Sequence, residues 1–146
     1  MTQERTLNLD MPITVKTYDI DFMNIVSNIT YIRWMEDLRL KFLDVHYSLQ
    51  KLMADMIVPI LNHTQIDYKK PIRMNDEVIG SIWMEKYDAS GWIANMEFTV
   101  NGKVAATGAQ SGVFINIGTM KRTDPPDGIR KKYEEAIRTG GDASGH

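Results

Sequence analysis

The sequence predicts an α+β fold in which an antiparallel sheet packs against one long helix. Three observations carry this. Residues 28–45 have helical periodicity, while the stretches around them alternate as strands do. Asn101-Gly102 lies between two such stretches, and this pair is a strong hairpin signal because a type I′ turn needs positive φ at both positions. The chain has 146 residues, which suits one domain, and a domain of this size buries roughly 68–70% of its unfolded surface, enough for a core without staples.

Each element follows from its own residues. Residues 1–12 are polar and read as a flexible N-terminus, with a single domain over 13–139 and a disordered tail at 140–146. Ile13 to Tyr18 is β-branched and alternating, hence a strand. Asp19 to Ser27 is a loop. From Asn28 to Val45, Ile32, Met35, Leu38, Phe42 and Val45 step by three or four, with Tyr31 and Trp34 beside them and Arg33, Asp37, Lys41 and Asp44 opposite. Asn28 is the expected N-cap. Ser48 to Asp55 adds a helical turn. Met56–Tyr68 is a strand with Pro59 at a kink or edge position. Lys69-Lys70-Pro71 breaks it. Val78–Tyr87, Trp92–Val100 and Lys103–Ile117 are strands joined by turns, which makes five in all. Ile129, Tyr133, Ala136 and Ile137 form the stripe of a terminal helix, opened by Pro125-Pro126 and closed by Gly140-Gly141.

Composition excludes several chemistries. There is no Cys, so disulfide scaffolds, thiolate metal sites and thiol nucleophiles are out. Lys and Arg number 17 against 19 Asp and Glu, a balance that does not suit nucleic acid. No apolar run is long enough to span a bilayer, the N-terminus has no secretory pattern, and the expected location is cytoplasmic. No phosphate-cradling glycine loop and no G-x-S-x-G elbow occurs. His46, His63 and His146 form no metal motif, so no metal and no cofactor are expected.

The carboxylates before the helix are the candidates for chemistry. Asp21 is followed by Phe22 and Met23 and then by Ile25 and Val26. An acid among apolar residues is expected to be partly desolvated, which suits a general base. The start of the nearby helix offers free backbone N–H groups and a positive dipole end for a developing oxyanion. Base plus oxyanion donors is a minimal kit for acyl transfer. The competing reading is that an Asp in such a loop is a turn residue.

The run Asp19-Ile20-Asp21-Phe22-Met23-Asn24-Ile25-Val26-Ser27-Asn28-Ile29-Thr30-Tyr31 resembles the D-x-D-x-x-G-x-V-x-x-x-x-Y motif of hotdog-fold thioesterases, in particular the 4-hydroxybenzoyl-CoA thioesterase-like acyl-CoA thioesterases. Tyr31 to Glu36 resembles the opening of that family's helix. Asp67-Tyr68-Lys69-Lys70-Pro71 with Asn75-Asp76-Glu77-Val78 resembles its D-Y-x-x-P…G-D-x-V segment, and Asn101 to Gly108 its hairpin into a small-residue strand. The likeness covers about residues 13–117. It implies a hotdog fold: a five-stranded antiparallel sheet wrapped around one long helix, here with a C-terminal helix added. It also implies edge-to-edge pairing of subunits, as a homodimer or homotetramer, with active sites at the interface.

By the same resemblance, Asp21 is the catalytic carboxylate, acting as nucleophile or general base, and the Asn28 amide polarises the thioester carbonyl. Asn24, Ile25, Ser27 and Tyr31 stand around the acyl group. Lys69, Lys70 and Arg73 cluster where coenzyme A phosphates, or the acidic surface of an acyl carrier protein, would be met. Two positions depart from the pattern: Asn24 and Asn75 stand where Gly is common, and Asn tolerates the left-handed conformation better than other side chains. The activity expected is hydrolysis of an acyl- or aryl-CoA thioester. A non-catalytic acyl-CoA-binding module is the alternative. A hotdog dehydratase would typically present a His near the helix, and residues 1–45 contain none.

Overall fold

The structure is a computed structural model and describes residues 5–139. The strands are β1 (Leu9–Thr14), β2 (Ile57–Tyr68), β3 (Glu77–Asp88), β4 (Gly91–Val100), β5 (Lys103–Asn116) and β6 (Lys121–Thr123). The helices are α1 (Asn28–His46), α2 (Leu49–Asp55) and α3 (Asp127–Thr139), with one 3₁₀ turn at Thr17–Asp19. All strand pairs are antiparallel, in the order β1-β3-β4-β5-β2, with β6 on the end of β5. The sheet curls around α1. Register shifts at Leu61/His63, Met84/Lys86 and Phe98/Thr99 increase its local twist.

The core lies between α1 and the concave face. Met35, Leu38 and Phe42 are fully buried there, as are Ile82, Met96 and Phe98 on the sheet, each such side chain contributing roughly 1.5–3 kcal/mol. Asn101 and Gly102 have φ of 53° and 77°, the expected type I′ turn. Ser48 caps α2 by accepting from the Lys51 amide. Pro59 lies on β2, which pairs only with β5 and is an edge strand.

Several expectations need correction. The first strand is Leu9–Thr14, not Ile13–Tyr18, because Leu9, Met11 and Ile13 are the residues in register with Ile82, Gly80 and Val78 of β3. Residues 7–12 are therefore packed rather than loose: Leu7 and Leu9 are buried. The lower end of the flexible 1–12 segment and the tail at 140–146 lie outside the described residues. Among the described residues the sheet has six strands, one more than the five expected. Asn116 Oδ1 accepts from the Gly118 and Thr119 amides, and this turn brings Lys121–Thr123 back along β5.

On α1 the inward face is Tyr31, Trp34, Met35, Leu38, Phe42 and His46, while Ile32 and Val45 are exposed. At each end the neighbouring ring, Tyr31 and His46, is buried instead. The N-cap is Ser27, and Asn28 is the first helical residue. On α3, Ile129, Tyr133 and Ala136 are buried, but Ile137 faces outward. Among the described residues no helix is long and apolar enough to cross a membrane.

Candidate active site

The loop between β1 and α1 is built from two aspartates with different tasks. Asp19 is buried, and its Oδ2 accepts from the Lys16 amide at 2.8 Å. Its carbonyl accepts from the Ser27 amide at 2.9 Å and from the Thr30 hydroxyl at 3.1 Å. It pins the loop to the start of α1. Asp21 opens a tight turn. Its Oδ1 accepts from the Met23 amide at 2.8 Å and the Ile25 amide at 3.3 Å, and its own amide donates to the Ile25 carbonyl at 2.9 Å. Its Oδ2 takes no hydrogen bond from the described residues. The turn closes through Asn24 at φ 61°, a left-handed conformation that Asn adopts readily. Asn75, at φ 76°, behaves the same way.

The expected desolvation of Asp21 does not occur within one chain. Asp21 is exposed, and the apolar residues beside it face outward too, Phe22 at 97% and Met23 at 59% exposure.

A second segment is stitched to this loop. The Val26 amide donates to the Ile72 carbonyl at 2.8 Å, and Ile25 bridges Arg73. The amides of Lys69 and Lys70 both donate to the Ala105 carbonyl at 2.9 Å, which turns the chain at the end of β2. A cleft of about 250 Å³ results, lined by Ile25, Val26, Asn28, Tyr31, Tyr68, Lys69, Lys70 and Pro71.

The head of α1 opens into this cleft. The first amides of any helix lack intrahelical partners. Thr30 N finds the Ser27 carbonyl at 3.0 Å, but the Ser27 side chain caps no backbone group and contacts Thr30 Oγ1 instead. The Asn28 N–H is left at the positive end of a 19-residue helix. Tyr31 is buried against Tyr68, Trp34 and Phe98, with ring centroids 5.1, 5.5 and 5.8 Å away. Burial, with the Tyr68 phenol beside it, pushes its hydroxyl pKa up to about 12. Tyr31 is thus a neutral wall residue at working pH.

Of the residues expected from the sequence, the structure brings Ile25, Asn28, Tyr31, Lys69 and Lys70 together around the cleft. Asp21, Asn24, Ser27 and Arg73 are outside its lining. Asp21 is tied to it through the Ile25 amide, and Arg73 through the Ile25 bridge. Sequence reasoning missed Val26, Tyr68 and Pro71 as lining residues. Tyr68 and Pro71 stand inside the same motif as the two lysines, so the signal for them was present. Larger clefts exist elsewhere, such as one of about 580 Å³ between β1 and α1, but it does not reach the head of α1 at Asn28.

Comparison with known proteins places the chain in a family and a fold. The family model described as the Thioesterase-like superfamily matches residues 15–133. Among curated relatives, the long-chain acyl-CoA thioesterase FadM of Escherichia coli (strain K12) is 23% identical over 128 residues, covering 86% of this chain and 97% of that protein. A 1,4-dihydroxy-2-naphthoyl-CoA hydrolase of Synechococcus sp. (strain CC9605) is 27% identical over 77 residues, 53% of this chain; the match spans about half of that relative, 51%. Among solved structures, a hypothetical protein of Staphylococcus aureus in complex with CoA superposes with a TM-score of 0.84 at 16% identity, covering 94% of this chain and 88% of that one. This structural likeness establishes the fold.

Proposed function

The chain belongs to the thioesterase-like superfamily, and on that premise we propose that it hydrolyses acyl-CoA thioesters. The observation that carries the reading is the convergence of the free Asn28 amide, the Asp21 turn and the Lys69-Lys70 pair around one cleft at the head of α1. The thioester carbonyl oxygen accepts from the Asn28 N–H, which, with the helix dipole, stabilises the oxyanion as the carbonyl carbon becomes tetrahedral. Asp21 acts through Oδ2, the oxygen its turn does not use. It either removes a proton from the attacking water, or attacks the carbonyl itself to give a mixed anhydride that water opens. In both routes the C–S bond breaks, the thiolate leaves and is protonated, and a carboxylate remains. Asn24 holds the turn, Ile25 and Tyr31 wall the acyl group, and Ser27 sets the helix start. Lys69, Lys70 and Arg73 face the phosphates of coenzyme A, or an acyl carrier protein's acidic surface.

The working unit in this reading is a homodimer, or a tetramer built from it. Among the described residues β2 is a 12-residue edge strand paired only with β5, and such an edge is a template for pairing. Phe22, Met23, Ile29 and Ile32 are exposed near the cleft. A second copy across β2 would cover them and supply the desolvation that Asp21 lacks in one chain.

The role of Asp21 as a turn residue favours a second reading, a non-catalytic acyl-CoA-binding module. Asp21→Asn separates the two. Asparagine keeps the carbonyl that the Met23 and Ile25 amides need, so the turn survives, but it loses the charged oxygen. We expect thiol release to fall about 10²–10⁴-fold with the fold intact. A single turnover in ¹⁸O water tests for attack by Asp21: label in Asp21 marks an anhydride opened by water at the Asp21 carbonyl, whereas label in the product alone is shared by the general-base route and by opening at the acyl carbonyl. Acyl-CoA binding with no thiol release by the wild type on any thioester would leave the binding module.

A further inference from the structure

Two serines of this chain stand immediately before a helix, and only one of them caps it. Ser48, before α2, has φ −56° and ψ 152°, and its side chain accepts from the Lys51 amide at 3.2 Å. Ser27, before α1, has nearly the same backbone, φ −74° and ψ 155°, yet its side chain caps nothing. Serine is among the best residues for that duty, because its oxygen satisfies an amide that the first turn leaves unpaired. A 19-residue helix therefore forgoes a cap that is already in place. Departures from a local rule of this kind gather at functional sites.

The third helical residue makes the difference. In α2 it is Lys51, whose side chain has no hydroxyl to offer the serine. In α1 it is Thr30, which is 1% exposed. Thr30 Oγ1 lies 3.0 Å from Ser27 Oγ and 3.1 Å from the Asp19 carbonyl oxygen. The direction of these bonds is fixed by chemistry. A carbonyl only accepts, and a hydroxyl has one proton to give. Thr30 gives its proton to Asp19, so the Ser27 hydroxyl donates to Thr30. The Asp19 carbonyl also accepts from the Ser27 amide at 2.9 Å, which closes a ring of three residues. Held in that ring, the Ser27 oxygen accepts from no amide of the first turn. The Thr30 amide turns to the Ser27 carbonyl at 3.0 Å instead. Among the described residues neither the Asn28 nor the Ile29 amide has a protein acceptor.

We infer that Thr30 is a positioning residue of the proposed site: its hydroxyl holds that of Ser27 off the head of α1, and so keeps the Asn28 and Ile29 amides open to the thioester carbonyl. The inference rests on the thioesterase reading above. Thr30 touches no substrate; it is buried behind the first turn and acts through Ser27. Without its hydroxyl, Ser27 is released into the situation of Ser48, and its oxygen caps the Ile29 amide or the amide of residue 30. That oxygen then occupies the positive end of the helix where the oxyanion must develop.

The test is Thr30→Val made in two backgrounds, wild type and Ser27→Ala, with thiol release from acyl-CoA thioesters and amide hydrogen exchange as the readouts. Valine keeps the branched shape and loses the hydroxyl. In the wild-type background kcat is expected to fall about tenfold with KM little changed, less than the 10²–10³ of an outright lost donor because the Asn28 amide stays unpaired. In the Ser27→Ala background the same substitution is expected to cost less than about twofold, since no oxygen is left to cap the helix. Thr30→Ser, which keeps the hydroxyl, is expected to rescue the rate. If Thr30 only pins the loop at Asp19, the loss is the same in both backgrounds, and that result would overturn the inference.

Exchange reads the hydroxyl ring without any turnover. Thr30→Val is expected to slow exchange at Ile29 or at residue 30 by about tenfold, the mark of a new cap, and the slowing must vanish when Ser27→Ala is added. Exchange that Thr30→Val leaves unchanged would overturn the inference while leaving the hydrolase reading intact. Wild type that turns over no thioester defeats the hydrolase reading instead, and the ring then stands or falls on exchange alone. Should Thr30→Val fail to fold, Thr30→Ala takes its place in every arm.

Discussion

Asn28→Pro isolates the backbone amide proposed to hold the oxyanion. Three features of the structure make this substitution nearly silent for folding. Asn28 is the first helical residue, the position where proline is best tolerated. Its N–H has no intrahelical partner to lose. Ser27 before it has φ −74° and ψ 155°, the extended geometry a residue preceding proline must adopt. The expected stability change is within about 0.5 kcal/mol, or a Tm shift of about 1–2 °C at this size. Catalysis should respond very differently. Loss of one oxyanion donor typically costs about 2.7–4 kcal/mol of transition-state stabilisation, or 10²–10³ in kcat. Asn28→Ala is the control, since it removes the side chain and keeps the N–H; it should retain most of the wild-type rate. Thiol release with a free-thiol dye and a thermal melt on each variant supply both numbers. A folded Asn28→Pro that turns over like wild type would refute the oxyanion assignment, and so would an Asn28→Ala as damaged as the proline variant.

Three other outcomes are expected. Lys69→Ala with Lys70→Ala should raise KM for coenzyme A thioesters by about tenfold at low salt and less at high salt, because exposed charge pairs are screened; a KM that ignores both changes would remove the lysines from the site. Folding stability should fall as pH rises from 10 towards 12, because Tyr31 ionises in the unfolded chain at about 10 but resists to about 12 when buried. The loss is on the order of 2–3 kcal/mol. Tyr31→Phe should flatten that slope in urea melts without abolishing it, since burial raises Tyr87 as well; an unchanged slope would refute the cause. Asn24→Gly should leave stability nearly unaltered, whereas Asn24→Val should cost about 1–2 kcal/mol, since φ 61° penalises a β-branched side chain; equal midpoints for the two would refute the turn argument.

Much of this protein was legible one residue at a time. The type I′ turn at Asn101-Gly102 and the left-handed Asn24 and Asn75 are local backbone preferences, and each stands as the sequence implied. The helix from Asn28 and the strands after it follow from hydrophobic period, which is a property of neighbours in the chain. The resemblance read from residues 19–31 and 67–78 pointed to the same family that the match over 15–133 establishes.

What period could not supply was which of two adjacent residues turns inward. Tyr31 rather than Ile32, and His46 rather than Val45, are buried because the surfaces packed on the helix and not the helix itself set its rotation. The start of β1 was likewise decided by pairing with β3, which drew Leu7 and Leu9 into the core.

The site divides the same way. Asp21 and Asn28 are candidates by type and position, since an acid before a helix start is a local pattern; the structure puts Asn28 in the cleft lining and leaves Asp21 outside it. That Asp19 is structural, that Ile25 and Val26 are stitched to Ile72 and Arg73, and that Tyr68 closes the cleft are long-range facts. The sequence by itself determined the local conformations and the chemical groups on offer. Only the tertiary structure decided which groups meet, because burial and unmet hydrogen bonds belong to pairs of surfaces that a linear chain does not yet have.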